Sequence, residues 1–191
     1  MNAPARITQP YRRTPLFPLR LLLAALVAFA VVGLAAAARA ETIQIVVIGD
    51  SNVAGHGVAP PDSYPAQLEA ALRAKGYDAQ VSNQGIDGDT VQGTLNRSAF
   101  IPQGTRLAIV WVGINDIRAG MSEAAVEAVR QKIAASLRAR GIKVLLLGPR
   151  HGLASQPQYL IGDTQNHLNA AGYREMVGRT IGQVMALIGA R

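Results

Sequence analysis

Residues 43–52 read IQIVVIGDSN. The run IQIVVI has the length and β-branched content of a strand, and its last four residues suit burial on both faces. Gly49 and Asp50 end the run and deliver Ser51 at the point where the chain leaves the strand. The same grammar repeats downstream. Residues 79–82 form a weaker strand, 107–112 (LAIVWV) a strong one and 144–147 (VLLL) a fourth. Amphipathic stretches lie between them. One runs from Pro65, with Leu68 and Leu72 a turn apart, Asp62 or Ser63 placed to cap it and Gly76 past its end. Another is capped by Ser122, keeps Val126, Val129, Ile133 and Leu137 on one face, and closes at Gly141. The last starts near Ala170 and carries Val177, Ile181, Val184 and Ile188. Strands alternating with helices predict an α/β fold, a parallel sheet of about four strands covered by helices on both faces.

Such sheets bind ligands at the carboxyl ends of the strands, where the strand order reverses. Polar residues able to do chemistry follow every predicted strand. Gly49-Asp50-Ser51-Asn52 follows the first, and 83–90 (NQGIDGDT) follows the second. Gly113-Ile114-Asn115-Asp116 follows the third, and 163–173 (DTQNHLNAAGY) precedes the last helix. A serine hydroxyl is a weak nucleophile until a base takes its proton, and His167 is the natural base because imidazole titrates near neutrality. Attack on an acyl carbon creates an oxyanion that needs fixed N–H donors. The backbone N–H of Ser51, the backbone N–H of Gly88 and the side-chain amide of Asn115 can supply them. Glycine at 88 would let the backbone approach the oxyanion with no Cβ in the way.

These blocks resemble the SGNH (GDSL-type) hydrolases. Gly49-Asp50-Ser51, Gly88-Asp89-Thr90, Gly113-x-Asn115-Asp116 and His167-x-Asn169-Ala170-Ala171-Gly172-Tyr173 match the four blocks of that family in order. The likeness is greatest to its bacterial periplasmic arylesterase, acyl-thioesterase and lysophospholipase group. The resemblance implies a three-layer flavodoxin-like fold, no cofactor, and a small ester or acyl substrate hydrolysed through an acyl-enzyme. It implies Ser51 as nucleophile, His167 as base, and Ser51, Gly88 and Asn115 as oxyanion donors. Two other functions stay open: a carbohydrate O-acetylesterase, and a non-catalytic binding protein on the same fold.

The chain departs from the family pattern in three places. Asn52 stands where the family has Leu. The acid that orients the histidine is expected three residues before it, yet that position is Thr164 and the carboxylate is Asp163. Asp163 is the expected third catalytic residue, on the condition that the loop absorbs one extra residue; otherwise a backbone carbonyl orients His167. Between 147 and 167 only a short loop fits where the family has a helix and a strand, so a trimmed sheet and a more open crevice are expected. His151, after the fourth strand, is a rival base, and His56 is read as a rim residue. Trp111 is read as core, Asp50 and Asp116 as structural hydrogen-bonders. No metal is expected, since Asp163 and His167 lack a third ligand.

Residues 1–40 have the anatomy of a secretory leader. Arg6, Arg12, Arg13 and Arg20 precede an apolar run at 21–37, and Ala38-Arg39-Ala40 offers small residues at the two positions a signal peptidase reads. The run is shorter than the ~20 apolar residues of a spanning helix. Cleavage is therefore expected, with the domain at 41–191 periplasmic or secreted and no stable membrane span. The residues after Arg12-Arg13 fit a twin-arginine signal poorly.

Charge and cysteine content narrow the class further. The 191 residues hold 19 Lys+Arg against 12 Asp+Glu, but five of the arginines and none of the acids lie in 1–40, leaving 14 against 12. The basic excess belongs to the leader and predicts no nucleic-acid partner. The absence of cysteine excludes disulfides, a thiol nucleophile and thiolate metal sites.

Overall fold

The computed structural model describes residues 41–189; the leader expected at 1–40 lies outside them. Four parallel strands form one sheet: β1 (Ile43–Gly49), β2 (Ala79–Gly85), β3 (Leu107–Trp111) and β4 (Lys143–Leu146), in the spatial order β2-β1-β3-β4. Six helices accompany them: α1 (Ser51–Ala54), α2 (Tyr64–Ala74), α3 (Val91–Ser98), α4 (Ile114–Arg118), α5 (Glu123–Ala139) and α6 (Ala170–Ile188).

Strand alternation divides the core in two. Ile45, Val47, Leu107, Ile109 and Trp111 face α2 and α6, where they meet Leu68, Leu72, Tyr173 and Val184. Val46, Ile48, Ala108 and Val110 face α3 and α5 and meet Val91, Ile133 and Leu137. Because both faces are covered, Ile45 to Ile48 are buried without a break. Trp111 lies in the first core, edge-on to Tyr64 with ring centroids 5.5 Å apart.

The register aligns the strand ends. Gly49 pairs with Gly85 on one side and with Trp111 on the other, so β1, β2 and β3 finish level. From β1 the chain first adds β2 to one side, then returns to place β3 on the other. The order therefore reverses at β1, and the crevice opens where Ser51 leaves the sheet. Two arginines tie these ends together. Arg97 donates to the carbonyls of Gln84 (3.0 Å) and Gly49 (3.2 Å), and to Asp89. Buried Arg130 donates to the carbonyls of Val112 and Leu147.

Several local expectations are corrected. β2 runs three residues past Ser82; its exposed edge position lets polar Asn83 and Gln84 continue the strand without an apolar signal. The helix α3 had no sequence expectation, because Val91, Thr94 and Ser98 bury a face that is mostly polar. Ser63 does hold the cap position of α2, yet its hydroxyl donates to Pro60 O at 2.9 Å and makes no capping bond. Ser122 and Asn169 do cap, accepting from the amides of Ala125 and Gly172.

Candidate active site

Ser51 opens α1 directly after β1. Asp50 caps that helix by accepting the Asn52 amide at 3.0 Å, which fixes the turn that presents the serine. Ser51 is buried, and its Oγ lies 2.9 Å from His167 Nε2. On the far side of the ring, Nδ1 meets Asp163 Oδ2. A carboxylate on Nδ1 requires the proton there, which leaves the Nε2 lone pair facing the serine hydroxyl. Burial pushes the Asp163 carboxyl up, but the hydrogen bonds from the His167 ring and amide outweigh it and hold the group below the usual carboxylate range.

Asp163 reaches His167 despite the extra residue, and the backbone shows how. An antiparallel bridge joins Leu160 to Leu168, flanked by Ile161 N–H to His167 O (3.0 Å) and Asn169 N–H to Tyr159 O (2.9 Å). Residues 162–166 form the tip of this small hairpin. Asn166 adopts φ 56°, the one positive φ outside glycine among the described residues. That left-handed step, which asparagine tolerates, folds the additional residue back. Asp163 Oδ1 then accepts the His167 amide at 2.9 Å while Oδ2 takes the ring.

The proposed oxyanion residues cluster beyond β2 and β3. Asn115 lies in the first turn of α4, and its side-chain amide donates to Asp89 O at 2.9 Å, adjoining the loop that carries Gly88. That bond uses one of its two N–H groups. Gly88 has φ 77°, and a Cβ there would meet nothing within 4 Å. The left-handed backbone is a further reason for glycine at this position. Close approach governs Gly85, where a Cβ would lie 2.0 Å from Ala54 N. Asp116 is buried and accepts the Val91 amide at 3.0 Å, anchoring α3.

The other histidines have defined contacts. His56 is exposed, bonds Asp87 through Nδ1 at 2.8 Å, and lies against the His167 ring with centroids 4.4 Å apart. His151 bonds Asn166 O and the Leu153 amide; no contact with Ser51 is among its hydrogen bonds. The expectation that no third metal ligand lies in reach is corrected, because ligand atoms of His56, Asp163 and His167 fall within 4.8 Å of one another. Both His167 nitrogens are already engaged, so an ion held there would displace Ser51 or Asp163 from the ring.

A cavity of about 450 Å³ opens beside His167, bounded also by Asn52, Ile114, Arg118, Pro149 and His151. The shortened segment after β4 thus forms a wall of the crevice. Arg97 and the contacts of His56 and His151 were not assigned from the sequence, since each depends on contacts between elements distant in the chain.

The GDSL-like Lipase/Acylhydrolase family model matches residues 47–171, and the chain belongs to that family. It is similar to the esterase TesA of Pseudomonas aeruginosa, 34% identical over 128 residues, which are 64% of this chain and 62% of that relative's length. Among solved structures it resembles AlinE4, an SGNH-hydrolase family esterase, with 30% identity, TM-score 0.61, and coverage of 80% of this chain and all of that one. A crystal structure of TesA matches with 26% identity and TM-score 0.63, covering 75% and 99% of the two chains. Among the described residues, no helix is long and apolar enough to cross a membrane.

Proposed function

We propose that the protein is an exported serine esterase that hydrolyses small carboxylic esters or thioesters through an acyl-enzyme on Ser51. The carrying observation is the relay Ser51 Oγ to His167 Nε2 at 2.9 Å and His167 Nδ1 to Asp163. In the first step His167 Nε2 takes the Ser51 proton as Oγ attacks the carbonyl carbon, forming one C–O bond and leaving the negative charge on the carbonyl oxygen. The Ser51 amide, the Gly88 amide and the free N–H of Asn115 are the proposed donors to that oxygen, each worth roughly 3–4 kcal/mol in the transition state. Collapse breaks the bond to the alkoxide or thiolate, which leaves with the proton from Nε2. Water then repeats the sequence: His167 accepts its proton, the hydroxyl attacks the acyl carbon, and Ser51 regains its hydrogen. Asp163 holds the ring in the required tautomer throughout and stabilises the transient imidazolium.

The mixed lining of the cavity, with Ile114, Pro149 and Ala154 beside polar groups, suits the apolar and polar parts of an ester. Ser51→Ala should reduce release of p-nitrophenol from the acetate and butyrate esters by at least about 10³-fold, as expected for loss of the nucleophile. A fluorophosphonate probe should label the wild type and not the variant. Unchanged turnover in the variant would remove Ser51 from the mechanism.

A further inference from the structure

We propose that His151, as its neutral Nε2–H tautomer, is a positioning residue that clamps the peptide joining Asn166 to His167 and so keeps Asp163 and the His167 ring aligned. The role for turnover rests on the serine-esterase reading above. The tautomer follows from the partners. Nδ1 lies 3.0 Å from the Leu153 amide, which can only donate, so Nδ1 must be bare. Nε2 lies 2.9 Å from the Asn166 carbonyl, which can only accept, so Nε2 must carry the proton.

That carbonyl belongs to the same peptide unit as the His167 amide. The unit is thus gripped at both poles: its C=O by His151 and its N–H by Asp163 Oδ1 at 2.9 Å. The preceding residue is tied as well, since Arg118 donates to the Gln165 carbonyl and, at 3.1 Å, to its side chain. Asn166 itself holds the left-handed φ of 56° that lets Asp163 reach the ring. An exposed asparagine in that conformation has cheap alternatives in the extended region, and rotation of this peptide would swing the His167 amide off Asp163. A histidine anchored beyond β4 supplies the external hold. His151 also lines the cavity beside His167, so it occupies the right place to be mistaken for a base.

Protonation would disable the clamp on one side, because Nδ1–H would point at the Leu153 N–H. The surroundings oppose that. Burial foremost holds His151 below the ordinary imidazole range; the Asn166 carbonyl pulls the other way, and His167, Arg118 and Arg179 add to the lowering. The neutral ring therefore holds both bonds at neutral pH; as pH falls through the depressed value the Leu153 anchor is lost, while Nε2–H still donates to the Asn166 carbonyl.

Three variants of the purified protein separate the roles. His151→Asn keeps an acceptor for Leu153 but cannot reach Asn166. His151→Gln reaches Asn166 with an N–H but gives up the Leu153 acceptor, and His151→Ala loses both. For p-nitrophenyl butyrate the expected result is a kcat about tenfold lower in the Ala and Asn variants, KM within twofold, and at least partial recovery in the Gln variant. The acid-side loss of kcat due to His151 should be absent from the Gln variant. The downfield proton resonance of His167 Nδ1–H should broaden or shift in the Asn variant and persist in the Gln variant. Should the Ala variant fail to fold, the Asn and Gln pair decides. Wild-type kcat and an unchanged His167 resonance in folded His151→Asn would overturn the clamp. A wild type inert to esters and to the fluorophosphonate would instead overturn the esterase reading, and the His167 resonance would still decide the clamp.

Discussion

Asp50 shows how a side chain that touches no substrate shapes the site. It is fully buried next to Ser51 and caps the helix that begins with that residue. Burial pushes its carboxyl up to about 6, with the amides of Asn52 and Gly113 pulling it back. In the unfolded chain an aspartate titrates near 3.9. Between the two values the folded protein binds more protons than the unfolded one, so stability falls as pH rises from about 4 to about 6 and levels off above. The variant Asp50→Asn removes that dependence while retaining an oxygen for the Asn52 amide. Its stability relative to wild type should therefore improve by up to roughly 2–3 kcal/mol between pH 4 and pH 7. Urea melts of both proteins at each pH measure this. A difference that stays constant with pH would contradict it. Asp163 has the opposite sign: its lowered carboxyl contributes stability present above the unfolded value and lost as pH falls through the folded one. Because it is common to both proteins, it cancels in the comparison.

At the scale of elements, the site depends on how closely β2 and α1 approach. Gly85 ends β2 level with Gly49, and a Cβ there would stand 2.0 Å from Ala54 N and 2.6 Å from Val53 C. Those are backbone atoms of the helix that starts with Ser51, so they cannot yield by rotating a side chain. Gly85→Ala must push α1 off the sheet and carry Ser51 with it. The expected cost is about 1–3 kcal/mol, as for other overpacked positions, with kcat falling more than KM. Thermal melts and steady-state kinetics read the two effects. A Gly85→Ala protein with wild-type melting temperature and kcat would show that α1 is free to move. On the histidine side, one asparagine does the corresponding work. Asn169 caps α6 through the Gly172 amide and donates to the carbonyls of Gln158 and Leu160, joining the last helix to the hairpin that bears Asp163 and His167.

Across the whole molecule, two cores back to back on one sheet hold four loops in fixed relation. Among the described residues, both cores are continuous across the sheet and its covering helices. We propose that 41–191 folds without the leader expected at 1–40. A protein expressed from residue 41 should melt cooperatively and turn over p-nitrophenyl acetate at the full-length rate, and the exported protein should begin at Glu41 on N-terminal sequencing. Aggregation of the shortened chain would contradict this. Much of the architecture was legible in the order of residues. Apolar runs such as 45–48 and helical stripes such as Val126, Ile133 and Leu137 are local patterns, dictated by which face of each element must leave water. The blocks around Ser51, Gly88, Asn115 and His167 pointed in the same way to the family and to one end of the sheet. Other features had no local signature. Polar β2 was underestimated, because an edge strand needs little apolar surface, and α3 was unseen. The meeting of Ser51 with His167 spans 116 positions, and the reach of Asp163 hangs on one left-handed asparagine held from outside by another loop. Hydrophobic periodicity is written along the chain, so it determined the layers. Hydrogen-bond geometry of a few tenths of an ångström exists only once distant segments are packed, so the tertiary structure alone decided the alignment of the relay.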